Sequence, residues 1–373
     1  MTRARDIANL GNNTTNLETI DTVYSAGGLT GRNMLINSAF TVAQRGTSAS
    51  VTSSSSPTTV DRFSVSVANL DEASLTQSQD STVPSGQGFA SSLKVLVGGT
   101  AETTLDADEQ VYIRYQGIEG QDAQHLAFGT SSAKKTTLSF WVRSGVTGNY
   151  AVLMYTNNGI GGASSRSQTL TYTVNSADTW EYKTITFDGD GASGNALAND
   201  TSAELQLYFS LAAGSNSTAT DGTSWGAYAS GKFAYGQTAN LVGTANAAFY
   251  ITGVQLEVGE TATPFEHEDY GTTLRKCQRY YYQTTDYIRY MSQGPVGSQA
   301  WEWIDLPVTM RAQPTGTVYG SAGEGDVGKA SQDGGDKETL SLYQSPFVLG
   351  LLCPTSTSGQ NLQFWKIKVD AEL

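Results

Sequence analysis

The side chains of this sequence that could hold a metal or attack a substrate are few and widely spaced. The histidines are His125 and His267, and the cysteines are Cys277 and Cys353. No pair has the Cys-x-x-Cys or His-x-x-x-His spacing of zinc sites, and two thiols make no disulfide framework. His125 has no Gly-x-Ser-x-Gly turn nearby, and His267 lies at a domain border, so we interpret both as structural. We assign no catalytic residue, metal ligand or cofactor, and predict that the chain is not an enzyme.

Carboxylates are plentiful, with 35 Asp and Glu residues, and they leave two kinds of chemistry open. Glycoside cleavage requires only two carboxylates about 5 to 9.5 Å apart, but no spacing in this sequence favours one pair. The segment 188–191 (Asp-Gly-Asp-Gly) resembles the start of a calcium loop, yet the twelfth position is Asn199 rather than the Glu of an EF-hand. The rim of a β domain could still hold calcium through scattered carboxylates and carbonyls, although the sequence identifies no ligand set.

The stretch 223–228 (Thr-Ser-Trp-Gly-Ala-Tyr) places two large aromatic side chains where no strand alternation is present. Sugars have apolar C–H faces on which an aromatic plane can stack, while polar groups of the same loop bond the hydroxyls. Trp225 and Tyr228, with Asp221 near them, are therefore our candidate glycan-binding residues. The alternative is that Trp225 plugs an open end of the domain, because large aromatic side chains mostly fill cores.

Composition limits the classes of protein to which the chain can belong. Only 15% of its 373 residues are charged, and the formal net charge is −13. This surplus of acids argues against nucleic acid as a partner, because neutralising phosphates requires Lys and Arg. With 38% hydrophobic and 10% aromatic residues the chain can bury a core. No apolar run approaches the roughly 18 residues of a membrane span, so we expect no membrane insertion.

Short runs in which apolar and polar residues alternate recur along the middle of the chain. A period of two with one apolar face is typical of half-buried strands, and Gly- and Asn-rich turns separate these runs. Many short strands without a long helical period predict an all-β fold, an antiparallel jelly-roll sandwich. The alternating apolar sets are Phe63, Val65 and Val67; Leu93, Val95 and Val97; Leu138, Phe140 and Val142; Leu205, Leu207, Phe209 and Leu211; and Val254, Leu256 and Val258.

These patterns divide the chain into three parts. Residues 1–32 hold too few apolar side chains for a core and are predicted to be a short N-terminal arm that docks on something larger. Residues 33–267 are predicted to form the jelly roll. Residues 268–373 are predicted to form a smaller C-terminal β domain, with a short helix at 270–280 and a Gly- and Asp-rich loop at 320–337.

Several phrases of the sequence resemble, in the right order, a family of phage tail-fibre domains whose jelly roll is like that of carbohydrate-binding modules. The series covers roughly residues 33–282, and its closing phrases are the most specific. The long Ala-, Gly- and Ser-rich insert between Leu211 and Phe249 departs from the family pattern. The similar phrases are 33–40 (Asn-Met-Leu-Ile-Asn-Ser-Ala-Phe), 44–47 (Gln-Arg-Gly-Thr), 61–63 (Asp-Arg-Phe), 116–121 (Gln-Gly-Ile-Glu-Gly-Gln), 138–144 (Leu-Ser-Phe-Trp-Val-Arg-Ser), 251–259 (Ile-Thr-Gly-Val-Gln-Leu-Glu-Val-Gly), 263–267 (Thr-Pro-Phe-Glu-His) and 277–281 (Cys-Gln-Arg-Tyr-Tyr).

The resemblance implies a virion appendage protein with a sugar-binding-like fold and no catalytic residues. We expect a tail fibre or related appendage that binds host-surface glycans as an adhesin. We also expect a homotrimer, in which multivalency strengthens weak sugar contacts. One alternative is a purely structural head fibre, knob or connector of the virion that has no host contact. The other is a polysaccharide depolymerase.

The opening segment 2–10 (Thr-Arg-Ala-Arg-Asp-Ile-Ala-Asn-Leu) is similar to the N-terminus of marine phage structural proteins. It is charged and lacks the apolar stretch of a secretory signal, so we expect assembly in the host cytoplasm and location in the virion. We predict that this arm binds other virion proteins. The predicted docking residues are Arg3, Arg5, Ile7 and Leu10.

Overall fold

The computed structural model of this chain is almost entirely β-structure. Among the residues that the structure describes, no helix is long and apolar enough to cross a membrane. The predicted docking residues Arg3, Arg5, Ile7 and Leu10 are not among the residues that the structure describes. The structure describes residues 31–53, 56–157, 165–284, 288–291, 299–319, 329–332, 337–339, 341–354, 361–364 and 366–372.

Two six-stranded antiparallel sheets form the larger part of the molecule. The front sheet has the order β1-β3-β4-β12-β6-β9, and the back sheet has the order β11-β8-β7-β10-β5-β2. The front strands are β1 (Ser48–Ser50), β3 (Leu75–Asp80), β4 (Ser92–Val97), β6 (Thr136–Ser144), β9 (Glu181–Phe187) and β12 (Ala248–Val258). The back strands are β2 (Phe63–Ala68), β5 (Gln110–Glu119), β7 (Gly148–Thr156), β8 (Arg166–Val174), β10 (Ala203–Ala213) and β11 (Gly226–Ala227).

The core lies between these two sheets, and the alternating apolar residues of the sequence fill it. Phe140 on β6, for example, meets Phe209 on β10 edge-on, with ring centroids 5.4 Å apart. Both side chains are fully buried. Because successive side chains of a strand point to opposite faces, the residues between the core positions must form the outer faces of the sandwich. The five alternating sets predicted strands correctly, and the fold is a jelly roll.

Part of the outer surface of the back sheet is covered by the Ala-, Gly- and Ser-rich insert between Leu211 and Phe249. Phe233 and Ala234 from this insert pack on Ala151 and Leu153 of β7, and all four side chains are buried. The backbone N–H of Ala151 donates to Gln237 at 3.2 Å, which fixes the insert along the same strand. The back sheet is therefore buried on both faces at this point.

The C-terminal region begins with a helix and continues in three small antiparallel sheets. The short helix α1 (Gly120–Ala123) precedes it in the chain, and α2 (Tyr270–Gln278) opens the region. Asp269 caps α2 by accepting the Thr272 N–H at 3.0 Å. The sequence pattern predicted a short helix at 270–280, and the structure has it at Tyr270–Gln278. The strands are β13 (Tyr281–Gln283), β22 (Lys366–Asp370) and β16 (Thr315–Tyr319) in one sheet; β14 (Ile288–Met291), β21 (Asn361–Phe364), β17 (Lys329–Gln332) and β18 (Lys337–Thr339) in the second; and β15 (Gln299–Asp305), β20 (Val348–Pro354) and β19 (Ser341–Gln344) in the third.

One element of the C-terminal prediction is wrong. The stretch 320–337 was predicted to be a loop, but Lys329–Gln332 is strand β17, which pairs with β21 and β18. Its sequence, Lys-Ala-Ser-Gln, contains no β-branched or aromatic residue, so local composition does not indicate a strand. Pairing with neighbouring strands determines its conformation.

A buried group of charged residues joins the jelly roll to the C-terminal region. Arg62 is fully buried, donates to the Gly117 carbonyl at 2.7 Å and forms an ion pair with Glu372. The Tyr280 ring covers its guanidinium at 3.4 Å. Arg45 pairs with Asp61 at 3.1 Å, although burial still raises the pKa of Asp61 to about 6. Breaking a buried ion pair such as Arg62–Glu372 is strongly destabilising. Because this pair joins the two parts, we infer that they unfold together.

Candidate functional site

Aromatic side chains lie on the outer face of the front sheet, opposite to the core. Trp141 on β6 alternates with the buried Phe140 and Val142, so its ring points outward. It lies directly across the strand pair from Tyr182 on β9, and the two ring centroids are 5.3 Å apart. Tyr182 is 43% exposed. The pair presents a half-exposed apolar surface at the edge of the sheet.

Three rings from loops stand beside this pair and form the opposite wall of a cleft. Phe89 meets Phe265 at 5.0 Å and His267 at 5.2 Å, and Phe265 also meets His267 at 5.0 Å. The cleft between these rings and the Trp141–Tyr182 pair has a volume of about 580 Å³. We call this space the aromatic cleft. Its lining residues are Gln87, Phe89, Trp141, Tyr182, Gly253, Ala262, Thr263, Pro264, Phe265 and His267.

A glycine under the Phe89 ring allows the aromatic cleft to form. Gly253 lies at a register shift of β12 and has φ +61°, a conformation that favours glycine. A Cβ atom at this position would lie 2.4 Å from the Phe89 ring, closer than any contact allows. The irregularity in β12 and the missing side chain together let the tip of the Phe89 ring approach the sheet at Gly253.

A second, more polar cleft of about 440 Å³ shares the wall of Phe89, Phe265 and His267. Glu266 lies there and accepts the backbone N–H groups of Arg32 and Asn33 at 2.7 and 3.0 Å. Burial opposes ionisation of Glu266, but these N–H donors outweigh it and lower its pKa. The pKa of Asp269 is also lowered, chiefly by its hydrogen bonds to Thr272. Neither carboxylate has the raised pKa that a glycosidase acid requires.

Charged side chains flank the aromatic surface farther along the same face. Lys94 and Arg143 lie on either side of Tyr250. The Lys94 Nζ is 5.4 Å and the Arg143 Cζ 5.3 Å from the centroid of the Tyr250 ring. Lys94 pairs with Asp80 at 3.5 Å, and Arg143 pairs with Asp178 at 3.4 Å. These groups offer both donors and acceptors next to apolar rings, which is the combination that sugar hydroxyls and C–H faces require.

The residues predicted to bind glycans lie elsewhere, at the back sheet. Trp225 is half-buried, packs edge-on against Phe128 at 5.6 Å and contacts the main core. Its indole N–H donates to the Asp188 carbonyl at 2.7 Å. Both contacts favour the alternative in which Trp225 plugs the sandwich, since the buried face of the ring is not available for stacking.

Tyr228 and Asp221 are more exposed than Trp225 but have local partners. Tyr228 is 39% exposed and meets Tyr155 edge-on at 5.3 Å. Asp221 accepts the backbone N–H of Thr223 at 2.9 Å and its hydroxyl at 2.8 Å, which lowers the pKa of the carboxyl. These are the contacts of a tight turn. Trp225, Tyr228 and Asp221 line neither the aromatic cleft nor the polar cleft.

The remaining residues considered from sequence have structural surroundings. His267 packs edge-on against Phe265 in the ring wall. Burial, followed by the Lys134 charge, lowers the pKa of His125. Cys277 is a buried free thiol on α2. The side chain of Cys353 lies outside the described set.

The aromatic cleft was missed from the sequence, although one signal for it was present. Trp141 occupies an outward position of a strand whose inward residues had been recognised, and a large apolar ring facing outward needs a cover or a ligand. Tyr182, Phe89 and Phe265 come from distant segments, and only the fold brings them to Trp141. No spacing in the sequence could have joined them.

Comparison with known proteins gives weak structural likenesses and no sequence relatives. No protein-family profile matches the chain, and no curated protein matches it. The enzymatically active domain of tailspike protein 4 of bacteriophage CBA120 aligns at 11% identity and TM-score 0.29, over 53% of this chain and 19% of that one. A family 11 carbohydrate-binding module from a Clostridium thermocellum cellulase aligns at 12% identity and TM-score 0.28, over 55% of this chain and 92% of that one. TmCBM61, solved with β-1,4-galactotriose, aligns at 11% identity and TM-score 0.28, over 61% of this chain and 100% of that one.

These likenesses are too slight to carry an argument about function. The alignment spans about a fifth of the tailspike chain, and all three TM-scores lie below 0.5. The assignment of a β-sandwich jelly roll follows from the strand order and the buried core of the chain itself.

Proposed function

We propose that this chain is a phage virion appendage protein, a tail fibre or a related part, that binds host-surface glycans through the aromatic cleft. The observation that carries the binding function is the Trp141–Tyr182 pair facing a wall of three further rings across about 580 Å³. Such a space accepts a flat, partly apolar ligand and leaves its polar edges free for hydrogen bonds. The phage assignment rests on the sequence resemblance.

The ring arrangement suits a sugar chain better than a compact small molecule. The aromatic cleft and the polar cleft are adjacent and share one wall, so together they offer an elongated surface. A single sugar stacked on one ring binds weakly, and a homotrimer would present three such surfaces at once. We therefore propose a homotrimer that binds by avidity and does not cleave its ligand. Its arm, with Arg3, Arg5, Ile7 and Leu10, would attach it to other virion proteins.

The experiment is a glycan array probed with the full chain, followed by affinity measurement on any glycan retained. The double variant Trp141→Ala/Tyr182→Ala should lose binding. Tyr270→Ala removes a tyrosine that is 58% exposed on α2, outside the aromatic cleft, and should keep it. Binding that survives the double variant would place the site elsewhere and refute this assignment.

Two further measurements separate the proposal from its alternatives. Labelled antibody and electron microscopy of intact particles should place the protein on the tail. No retained glycan together with a position on the head or at a connector would instead establish a purely structural part. Incubation with host polysaccharide should yield no new reducing ends, and their appearance would establish a depolymerase.

A further inference from the structure

Five carboxylates gather at one end of the sandwich, where the chain crosses twice between the sheets. One crossing leads from β2 to β3 and carries Asp71 and Glu72. The other leads from β4 to β5 and carries Glu102, Asp106 and Glu109. Among the residues that the structure describes, none of the five forms an ion pair with a Lys, Arg or His. This end therefore concentrates negative charge without a protein cation to balance it.

Two of these carboxylates are removed from solvent. Glu102 is 2% exposed and Glu109 is 1% exposed. Burying an ionised carboxylate without a partner is costly, so such groups are normally paired, protonated or bound to a metal. Their burial also excludes a polysaccharide, because a glycosidic bond could not reach them.

The hydrogen bonds of the two glutamates use one oxygen of each carboxylate and leave a buried oxygen of Glu109 without a donor. Glu102 uses Oε2 to accept the N–H groups of Glu72 and Ala73 at 2.9 and 3.2 Å. Glu109 uses Oε2 to accept the Asp106 N–H at 2.6 Å, while its Oε1 is buried without any hydrogen-bond partner. One carboxylate oxygen each of Asp71, Glu102 and Glu109 lie within 4.8 Å of one another.

We propose that Asp71, Glu102 and Glu109 bind one divalent cation, with calcium as the best fit. Calcium takes six to eight oxygen ligands at 2.3–2.6 Å and tolerates irregular geometry. Three carboxylates supply part of that set, and backbone carbonyls of the crossings and water complete it. The ion would neutralise the buried charge and tie the β2–β3 crossing to the β4–β5 crossing.

This site is separate from the aromatic cleft and supports a different property. No residue of the three lines either front-face cleft. The cation would act on stability rather than on sugar contact. Spacings of 31 and 7 residues between the ligands match no calcium motif, which explains why sequence inspection identifies no ligand set.

Protonation of Glu109 is the competing way to satisfy these groups. Burial and the neighbouring Glu102 carboxylate raise the pKa of Glu109. The two explanations differ in their response to added metal, because a protonated Glu109 beside Glu102 would not bind calcium.

The test titrates calcium chloride into the metal-stripped full chain by calorimetry and repeats thermal unfolding with calcium or a chelator. We expect one calcium ion per chain and a higher Tm in calcium. Glu109→Gln should abolish both effects, and Asp71→Asn, at an exposed position, should weaken calcium binding about tenfold or more. In chelator, Glu109→Gln should melt above the wild type, since it removes one of the repelling charges.

The control is Glu260→Gln, an exposed carboxylate that pairs with Lys135 and should leave the calcium response unchanged. If Glu109→Gln does not fold, Asp71→Asn provides the same test from the surface. An absence of calorimetric heat with equal Tm in calcium and chelator would overturn the proposal. A calcium response retained in both variants would overturn it as well, because the ion would then bind elsewhere.

Discussion

The two outer faces of the sandwich both carry aromatic side chains, but they differ in how the described residues cover them. On the back sheet, Tyr112 and Tyr208 meet Phe233 of the insert at 5.4 and 5.7 Å, and Phe233 is 5% exposed. On the front sheet, Trp141 and Tyr182 face an open cleft. The same residue types therefore stabilise the fold on one face and remain available to a ligand on the other. What covers a ring, rather than the ring itself, decides its role.

The covered face should show the largest loss of stability when its cover is removed. Phe233→Ala deletes a buried ring that contacts two tyrosines, so we expect the free energy of unfolding to fall by about 3 kcal/mol or more. Chemical denaturation measures this loss. Glycan affinity of the folded fraction should not change, because Phe233 is distant from the front face. A loss of affinity at unchanged stability would reverse the roles of the two faces.

The open face should show the opposite pattern. Trp141→Ala removes half of the stacking pair, and we expect glycan affinity to fall by on the order of 2 kcal/mol, about 30-fold in Kd. The free energy of unfolding should fall much less than for Phe233→Ala, because the ring is only partly buried. Titration of the retained glycan and denaturation of the same preparation compare the two. A large destabilisation without an affinity change would make Trp141 a structural residue.

Trp225 provides an intermediate case between the two faces. We expect Trp225→Ala to lower the free energy of unfolding by about 2 kcal/mol. The substitution removes a half-buried ring and its hydrogen bond to the Asp188 carbonyl. Glycan affinity should be unchanged. Trp225→Phe keeps most of the packing and serves as the control that isolates the hydrogen bond. Weaker glycan binding at full stability would instead support the prediction that Trp225 is a stacking platform.

The smallest effect concerns the edge strand that carries Tyr182. Burial opposes ionisation of Glu181, but hydrogen bonds from Lys183, the Ser176 N–H and Asn175 lower its pKa to about 2. Its folded pKa lies below the ordinary value of 4.5, so its stabilising effect is present above that pH and is lost as pH falls towards 2. Thermal unfolding between these limits should show a steeper fall for the wild type than for Glu181→Gln. Parallel dependence of Tm on pH in the wild type and Glu181→Gln would contradict the lowered pKa of Glu181.

The sequence was sufficient for the fold because one rule governs most of it. Residues such as Phe63 and Val65 alternate with the polar residues Ser64 and Ser66, and burial on one face of a strand requires that alternation. The cleft was not predictable in the same way, since Phe89 and Phe265 reach Trp141 from segments that share no local pattern. Trp225 was assigned from its loop, and the Phe128 ring that covers it was not evident. Strand β17 lacked a compositional signal because Lys329–Gln332 contains no β-branched or aromatic residue.

A direct comparison of two tyrosines tests the central claim most sharply. Tyr182 and Tyr228 are 43% and 39% exposed and lie on the front and back faces respectively. Substitution by alanine removes a ring of similar exposure at each position. A difference in glycan affinity between the two variants therefore depends on which face of the sandwich carries the tyrosine. We predict that Tyr182→Ala weakens binding about tenfold or more while Tyr228→Ala binds as the wild type does. Weaker binding by Tyr228→Ala with unchanged binding by Tyr182→Ala would contradict the account and move the site to the back face.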